Sequence, residues 1–379
     1  MKSTQIKSEA QRLGFNLCGI TRAEPSPHLV EYYDWLQAGR HGELGYLARE
    51  DRLARRGNLE NILPGAKTLI MVGLDYLTPR LPEAVLTDPS RGRIAAYAWG
   101  QDYHDIMTPR LQRLADHLAV TAPGPVAHRV YVDTGAVLER SHAQRAGLGF
   151  QGKNTMLINP RRGAYFFLGE ILLDIEVDDY DQPHREKMCG TCTRCLSACP
   201  TGALVAPYTL DARLCISYLT IEKKGWIEPE LRPRMSNWIL GCDICQEVCP
   251  WQRFGIQTLE SAFVPVSIDR AAPPLVDLLS LDDEAFRARY RGTPIFRLKR
   301  DRLIRNACVA AGNWGHSSAW PHLRRLLDDP SPIVRGHAAW AIDRIDGRAA
   351  RPELARRLPE ESDPEVRAEW SRLIDQVPA

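Results

Sequence analysis

The sequence predicts a multidomain α+β protein. It reads as an N-terminal α/β domain over residues 1–180 and a ferredoxin-like insert over 181–255, then a connector with a basic segment over 256–300 and a HEAT-like helical repeat array over 301–379. Three observations carry this. Strand and helix signals mix through the first 180 residues. Eight of the ten cysteines fall between 189 and 249. An Ile/Val-Arg pair recurs in the tail at Ile304-Arg305, Val334-Arg335 and Val366-Arg367, with spacings of 30 and 32 residues.

The elements follow in order. The N-terminal run MKSTQIKSEAQRLGFNLCGI reads as a helix and then a strand. KTLIMVGLDYL (67–77), HRVYVD (128–133) and YFFLGEILLDIEV (165–177) are rich in β-branched and apolar residues, as strands are. DIMTPRLQRLADHLA (105–119) places its apolar residues at helical spacing. Such mixing of elements points to a layered α/β or α+β domain. After Pro200, TGAL is expected to turn into a helix. A Pro-rich connector, AFVPVSIDRAAPPLVDLL, precedes the tail. Each tail repeat pairs its Ile/Val-Arg helix with a partner such as PHLRRLLDD or PELARRLPE, the two-helix unit of a short solenoid.

Composition bounds the function. The chain's 379 residues suffice for two or three domains, and 44% hydrophobic with 25% charged residues is ordinary for a globular protein. A net charge of +2 argues against a uniformly basic nucleic-acid binder and leaves room for a local patch. No apolar run is long enough to span a membrane, and the N-terminus lacks the apolar core of a signal peptide. A cytoplasmic location and no membrane partner are expected. Nothing suggests an obligate interface, so a monomer is expected. Clustered cysteines in such a chain point to metal or redox chemistry rather than disulfides.

The cysteine spacing narrows the metal. Cys189, Cys192, Cys195 and Cys199, followed by Pro200, match the C-x2-C-x2-C-x3-C-P run of two-cluster ferredoxins, whose fourth cysteine serves the other cluster. The second run, GCDICQEVCPW, ends in Cys249-Pro250 and has Cys245 and Cys242 in register. Isoleucine occupies its first position, 239, and Cys215 is the available replacement. One [4Fe–4S] cluster is therefore assigned Cys189, Cys192, Cys195 and Cys249. The other is assigned Cys199, Cys215, Cys242 and Cys245. Paired C-x2-C motifs also bind structural zinc, but three cysteines at two-residue gaps ending in Cys-Pro suit soft-thiolate clusters better. Cys18 and Cys308 read as buried thiols.

Two patterns fail in context. GLGFQGKN (147–154) fits G-x-G-x-x-G and most of a P-loop, yet helix formers precede it where a strand is required, and Asn154 replaces the P-loop Ser/Thr. It reads instead as a backbone-exposing loop beside some other bulky cofactor. DYHDIM (102–107) half matches the cobalamin motif D-x-H-x-x-G, with Met107 in place of glycine, so His104 reads as a core-edge histidine.

Taken together, GRHGELGYL (39–47), RGNLENILPGAKTLI (56–70), YAWGQDYH (97–104), VDTGAVLERSHAQRAGLGFQGKNTMLI (132–158), the cysteine runs and the helical tail resemble the epoxyqueuosine reductase family over nearly the whole chain. That family is related to the corrinoid-dependent reductive dehalogenases. The resemblance implies an oxidoreductase that uses cob(II)alamin and two [4Fe–4S] clusters, fed by an external electron donor. It would reduce epoxyqueuosine to queuosine at the wobble position of tRNA, the last step of queuosine biosynthesis. Asp133 matches the family's proton donor, and Arg56, Asp133, Asn154, Leu157 and Ser217 match positions of cobalamin contacts, although Leu59 stands where the family commonly has proline. No protein histidine is implied under cobalt. The chemistry agrees: opening an epoxide and expelling water takes two electrons, which no side chain supplies, and a proton donor, a role open to Asp133. Read without the resemblance, DTG is also turn or helix-cap chemistry.

The stretch FRARYRGTPIFRLKRDRLIR (286–305) holds eight Lys/Arg against one acid, with Phe286, Tyr290 and Phe296 interleaved. It reads as a footprint for RNA phosphates with stacking partners. Arg297, Lys299, Arg300 and Arg302 are its candidate contacts to tRNA carrying epoxyqueuosine, with Lys223 and Lys224 flanking the pocket mouth. The competing reading is a solvated helical face. For Arg335 and Arg367, packing within the solenoid is weighed equally. Two other functions are considered. A small-molecule corrinoid reductase would need neither the basic segment nor the solenoid. A ferredoxin-like electron carrier on a helical scaffold would leave residues 1–180 without a task.

Overall fold

A computed structural model describes residues 1–375. The chain forms two compact units, each built from three segments. The first comprises Met1–Pro79, Gln101–Arg213 and Asp243–Phe263; the second comprises Arg80–Gly100, Leu214–Cys242 and the chain from Val264 onward.

The first unit centres on a four-stranded sheet of β1 (Leu17–Arg22), β2 (Thr68–Asp75), β3 (His128–Tyr131) and β4 (Phe166–Leu173). Their order is β1-β2-β4-β3, antiparallel at each pairing. Every residue of β2 is buried, as its continuous apolar sequence requires of a strand covered on both faces. Helix α1 (Ser3–Arg12) leads into β1, and α2 (Tyr103–Thr121) buries Met107, Leu111, Leu114 and Leu118 at helical spacing. Asp102 caps α2 by accepting the His104 N–H at 3.1 Å. Helix α3 (Glu139–Arg145) lies in the segment expected to be helical. Its Ala143, with Ala146 just beyond its end, joins Leu59, Leu69, Met71, Leu157 and Leu172 in one apolar core. Each large side chain there contributes about 1.5–3 kcal/mol by leaving water.

The second unit holds α4 (Ile216–Ile221) and the repeat helices α5 (Lys299–Trp314), α6 (Pro332–Arg357) and α7 (Pro364–Ile374). Helix α6 is two helices joined at Asp346, whose φ of −154° and ψ of 90° break the helical path. The partner stretch PHLRRLLDD forms the helix Trp320–Arg325 and a 3-10 turn.

One expected element differs. The residues after Pro200 do not start a helix: Leu204–Ala206 is a strand paired with Thr209–Leu210. Gly202 at φ +69° and Tyr208 at φ +66° set the turns around it, and Pro207 offers no N–H to continue a helix.

Candidate functional site

In the first unit, two short helices bring the cysteine runs together. Cys195 lies on Arg194–Ala198, and Cys249 follows Ile244–Glu247. Cys189 and Cys192 occupy the turn before the first of these, closed by Cys192 N–H donating to the Cys189 carbonyl at 3.0 Å. Cys189, Cys192, Cys195 and Cys249 line one cavity of about 220 Å³, with Ile158, Pro250 and Trp251 as apolar wall. All four thiols are half-buried. Behind them Phe150, Ile158 and Ala164 form a small core against which Cys189, Cys249 and Trp251 pack. Four soft donors around an enclosed volume with apolar backing suit an iron–sulfur cube.

The glycine-rich loop serves this cavity. Phe150–Gln151 and Leu157–Ile158 form a two-residue ladder, and the loop between them carries Lys153 and Asn154. A Cβ on Gly149 would stand 2.5 Å from the Ile158 carbonyl oxygen, so this position tolerates no side chain. The Lys153 N–H points at Cys189 Sγ at 3.5 Å, and its Nζ donates to the carbonyls of Gly190 (2.7 Å) and Cys192 (3.0 Å). Asn154 is buried and donates to the Cys245 carbonyl at 3.1 Å. The loop thus stands beside the thiols, as a backbone-exposing loop at a cofactor should.

Asp133 stands on a turn two residues beyond β3. It is exposed, and its φ of 57° is uncommon for a residue with a side chain. Its Oδ2 accepts the Tyr103 hydroxyl at 2.8 Å, and the Tyr103 ring stacks on Phe167 with centroids 4.2 Å apart. Asp133 does not cap α3, whose N-cap is Leu138.

Two further carboxyls converge behind Asp133. Glu170, on β4 opposite Tyr131, is fully buried, and neither oxygen has a hydrogen-bond partner among the described residues. Glu139 opens α3; the residue is half-buried, but its Oε1 is enclosed and has no hydrogen-bond partner among the described residues. Burial, and then the nearby Asp133 charge, push Glu139 up to about 8. Burial, and then Glu139 and Asp133, push Glu170 well above the usual carboxylate range. Sequence reading missed Tyr103, Glu139 and Glu170. A lone acid in the otherwise apolar FFLGEILL was the available signal for Glu170.

Arg56 is buried, its guanidinium carbon 5.3 Å from the Tyr32 ring centroid, and its Nη1 is enclosed without a partner among the described residues. Such a donor fits an amide or phosphate of a large cofactor. The Leu157 side chain belongs to the core, so only its backbone can face a ligand. His104 pairs with Asp102 at 2.9 Å.

Comparison with known proteins decides the family. A relative from Pseudomonas aeruginosa named epoxyqueuosine reductase is 41% identical over 344 residues, covering 89% of this chain and 93% of its own. The chain belongs to the epoxyqueuosine reductase family. Family models agree along its length. One described as epoxyqueuosine reductase QueG matches residues 56–134, a 4Fe-4S double cluster binding domain matches 188–252, and HEAT repeats match 297–372. A crystal structure of epoxyqueuosine reductase with an epoxyqueuosine-modified tRNA-Tyr stem loop superposes with a TM-score of 0.89 at 32% identity, covering 98% of this chain and 97% of that one. A Bacillus subtilis epoxyqueuosine reductase, whose catalytic loop is swung out of the active site, gives 0.88 at 32% identity and 98% of both chains.

In this family member the basic segment is more structural than its composition suggests. Phe286 and Tyr290 are buried, four apart on the inner face of helix Asp283–Tyr290, so they are not base-stacking partners; Phe296 is exposed. Arg300 is clamped on Asp329, with Nη1 at 3.0 Å and Nη2 at 2.5 Å. Arg302 donates to the carbonyls of Ile221, Arg297 and Leu298. Arg297 and Lys299 are exposed. Lys223 pairs with Glu228 at 2.7 Å, and Lys224 is exposed. Arg335 grips Glu361 through two 2.7 Å bonds, and Arg367 donates to the Leu358 and Glu361 carbonyls, so both pack within the solenoid. In the second unit Cys215 immediately precedes α4, where Ser217 lies, and Cys242 follows the strand Trp238–Leu240. No described helix is long and apolar enough to cross a membrane.

Proposed function

We propose that this chain reduces the epoxide of epoxyqueuosine in tRNA to the alkene of queuosine. The observation that carries the reading is the four-thiol cavity of Cys189, Cys192, Cys195 and Cys249, in a chain whose solved relative holds an epoxyqueuosine-modified tRNA stem loop. The reaction breaks both C–O bonds of the epoxide, forms the C=C bond and releases water, consuming two electrons and two protons. Two [4Fe–4S] clusters and a corrinoid, when bound, supply one-electron transfer and low-valent metal chemistry. Cys189, Cys192, Cys195 and Cys249 hold one cluster; the sequence pattern assigns Cys199, Cys215, Cys242 and Cys245 to the other.

This chain's own residues do the rest. Lys153 pins the Gly190 and Cys192 carbonyls and fixes the thiol-bearing turn. Arg56 presents Nη1 to the corrinoid, and Asn154, the Leu157 backbone and Ser217 are assigned to the same cofactor. Asp133 gives a proton to the departing oxygen, and the Tyr103 hydroxyl orients its carboxyl. Arg297, Lys299 and Lys224 meet tRNA phosphates, and Lys223 is the sequence neighbour of Lys224. The enzyme acts as a cytoplasmic monomer supplied by an external electron donor.

The test is anaerobic reconstitution followed by assay of iron, corrinoid and conversion of epoxyqueuosine in a tRNA stem loop. Conversion with about eight irons per chain is expected. Iron and corrinoid without conversion would point to a small-molecule reductase and overturn the reading. Asp133→Ala should keep iron and corrinoid and lose about 10²-fold or more in turnover, the scale of positioned proton transfer; full residual activity removes its acid role.

A further inference from the structure

We propose that Glu139 and Glu170 form a buried carboxyl relay that resupplies protons to Asp133 during epoxide reduction. The inference rests on the reading above and adds the source of the second proton.

The geometry gathers all three carboxyls around one turn: Asp133 stands on it, Glu139 opens the helix that follows, and Glu170 lies opposite Tyr131 in the sheet. Asp133, through its charge and its backbone N–H, is among the groups that act on Glu139 at the start of α3. Glu170 lies beneath the same turn. A Cβ on Gly135 would come 3.0 Å from Glu170 Oε1 and 2.8 Å from the Tyr131 ring, so the turn rests directly on this carboxyl. The groups facing Glu139 are Asp133, Arg140 and Arg56, and those facing Glu170 are Glu139 and Asp133. No side chain among the described residues bonds to Glu170, and Glu139 Oε1 is likewise unpartnered.

Stability does not account for this arrangement. Burying a carboxyl without a hydrogen bond costs free energy, and an apolar residue in β4 would pack better. Unpaired acids with strongly displaced titration, behind an exposed acid, mark a functional arrangement. Burial favours the protonated form of both groups.

The stoichiometry supplies the task. Two protons are needed per epoxide, and a single carboxyl delivers one at a time. Asp133 protonates the epoxide oxygen as the first C–O bond breaks. Glu139 then passes its proton to the Asp133 carboxylate, and Glu170 refills Glu139. The second transfer from Asp133 completes the water that leaves. Both electrons come from the external donor through the clusters. Between turnovers the pair recovers its protons from solvent.

Two measurements on the full reconstituted chain test this. Infrared spectroscopy at pH 7 should show protonated-carboxyl C=O absorption that Glu170→Gln diminishes, and a component that bleaches near pH 8 and is missing in Glu139→Gln. Turnover of Glu139→Gln should fall by about 10²-fold with unchanged KM for the tRNA stem loop, and the loss should be restored in proportion to added imidazole buffer at fixed pH. A merely structural glutamate gives a loss that buffer does not repair. Absence of the infrared bands, turnover like the parent's in both variants, or a loss insensitive to buffer overturns the relay. If the parent chain converts no epoxyqueuosine, the failure belongs to the functional reading beneath it.

Discussion

Arg305 closes the basic stretch, yet it is fully buried in the second unit. Its Nη1 donates to the carbonyls of Lys223 (2.8 Å) and Gly225 (2.7 Å), and its Nη2 donates to that of Leu219 (2.8 Å). These carbonyls end α4 and the turn after it, where the helix leaves its last acceptors unmatched. Its Nε and Nη2 also reach Asn306 Oδ1, and Asn306 Nδ2 in turn donates to the Thr220 and Ile239 carbonyls at 2.8 Å each. Arg305→Met keeps most of the apolar stem and removes the donors. Three carbonyls lose a charged partner at about 1.5 kcal/mol each, so the variant should be about 4.5 kcal/mol less stable. For a unit of this size that corresponds to a transition roughly 10 °C lower. Thermal unfolding of the full chain, followed by far-UV circular dichroism, reads it. A midpoint within about 2 °C of the parent, together with weakened tRNA binding, would refute the capping argument. It would return Arg305 to the RNA surface.

Two further outcomes are expected. Cys189→Ser should leave about four irons per chain instead of about eight, because one cubane loses a ligand; unchanged iron would remove Cys189 from the ligand set. Glu170→Gln should raise stability, and by more as pH rises. Below the ordinary value of 4.5 the folded and unfolded chains both carry the Glu170 proton. Above it the unfolded chain releases that proton and the folded chain keeps it, so the parent loses about 1.4 kcal/mol per pH unit until the raised folded value is reached. Urea midpoints at pH 5, 6 and 7 should diverge between parent and variant, and a constant difference would mean that Glu170 titrates normally.

The strands Thr68–Asp75, His128–Tyr131 and Phe166–Leu173 and the helix Tyr103–Thr121 were legible because their apolar periodicity is local. The grouping of Cys189, Cys192, Cys195 and Cys249 at one cavity was legible because their spacing follows the crossed pattern of two-cluster ferredoxins. The helix expected after Pro200 was misread, because turn geometry at Gly202 and Tyr208 outweighs local composition there. The basic stretch was misread in part. Phe286 and Tyr290 look alike in sequence whether they stack on bases or fill a core, and only packing separates the two.

The sequence by itself therefore determined the chemistry: which thiols are spaced for clusters, which segments become strands and repeats, and which family the pattern resembles. Those properties depend on neighbours along the chain. Only the tertiary structure set Ile158 and Trp251 as a wall of the four-cysteine cavity, locked Arg305 onto carbonyls some eighty positions away in sequence, and sealed Glu170 from water beneath the Asp133 turn. Burial sets a carboxyl's affinity for its proton, and burial is a property of the folded surroundings that no stretch of sequence displays.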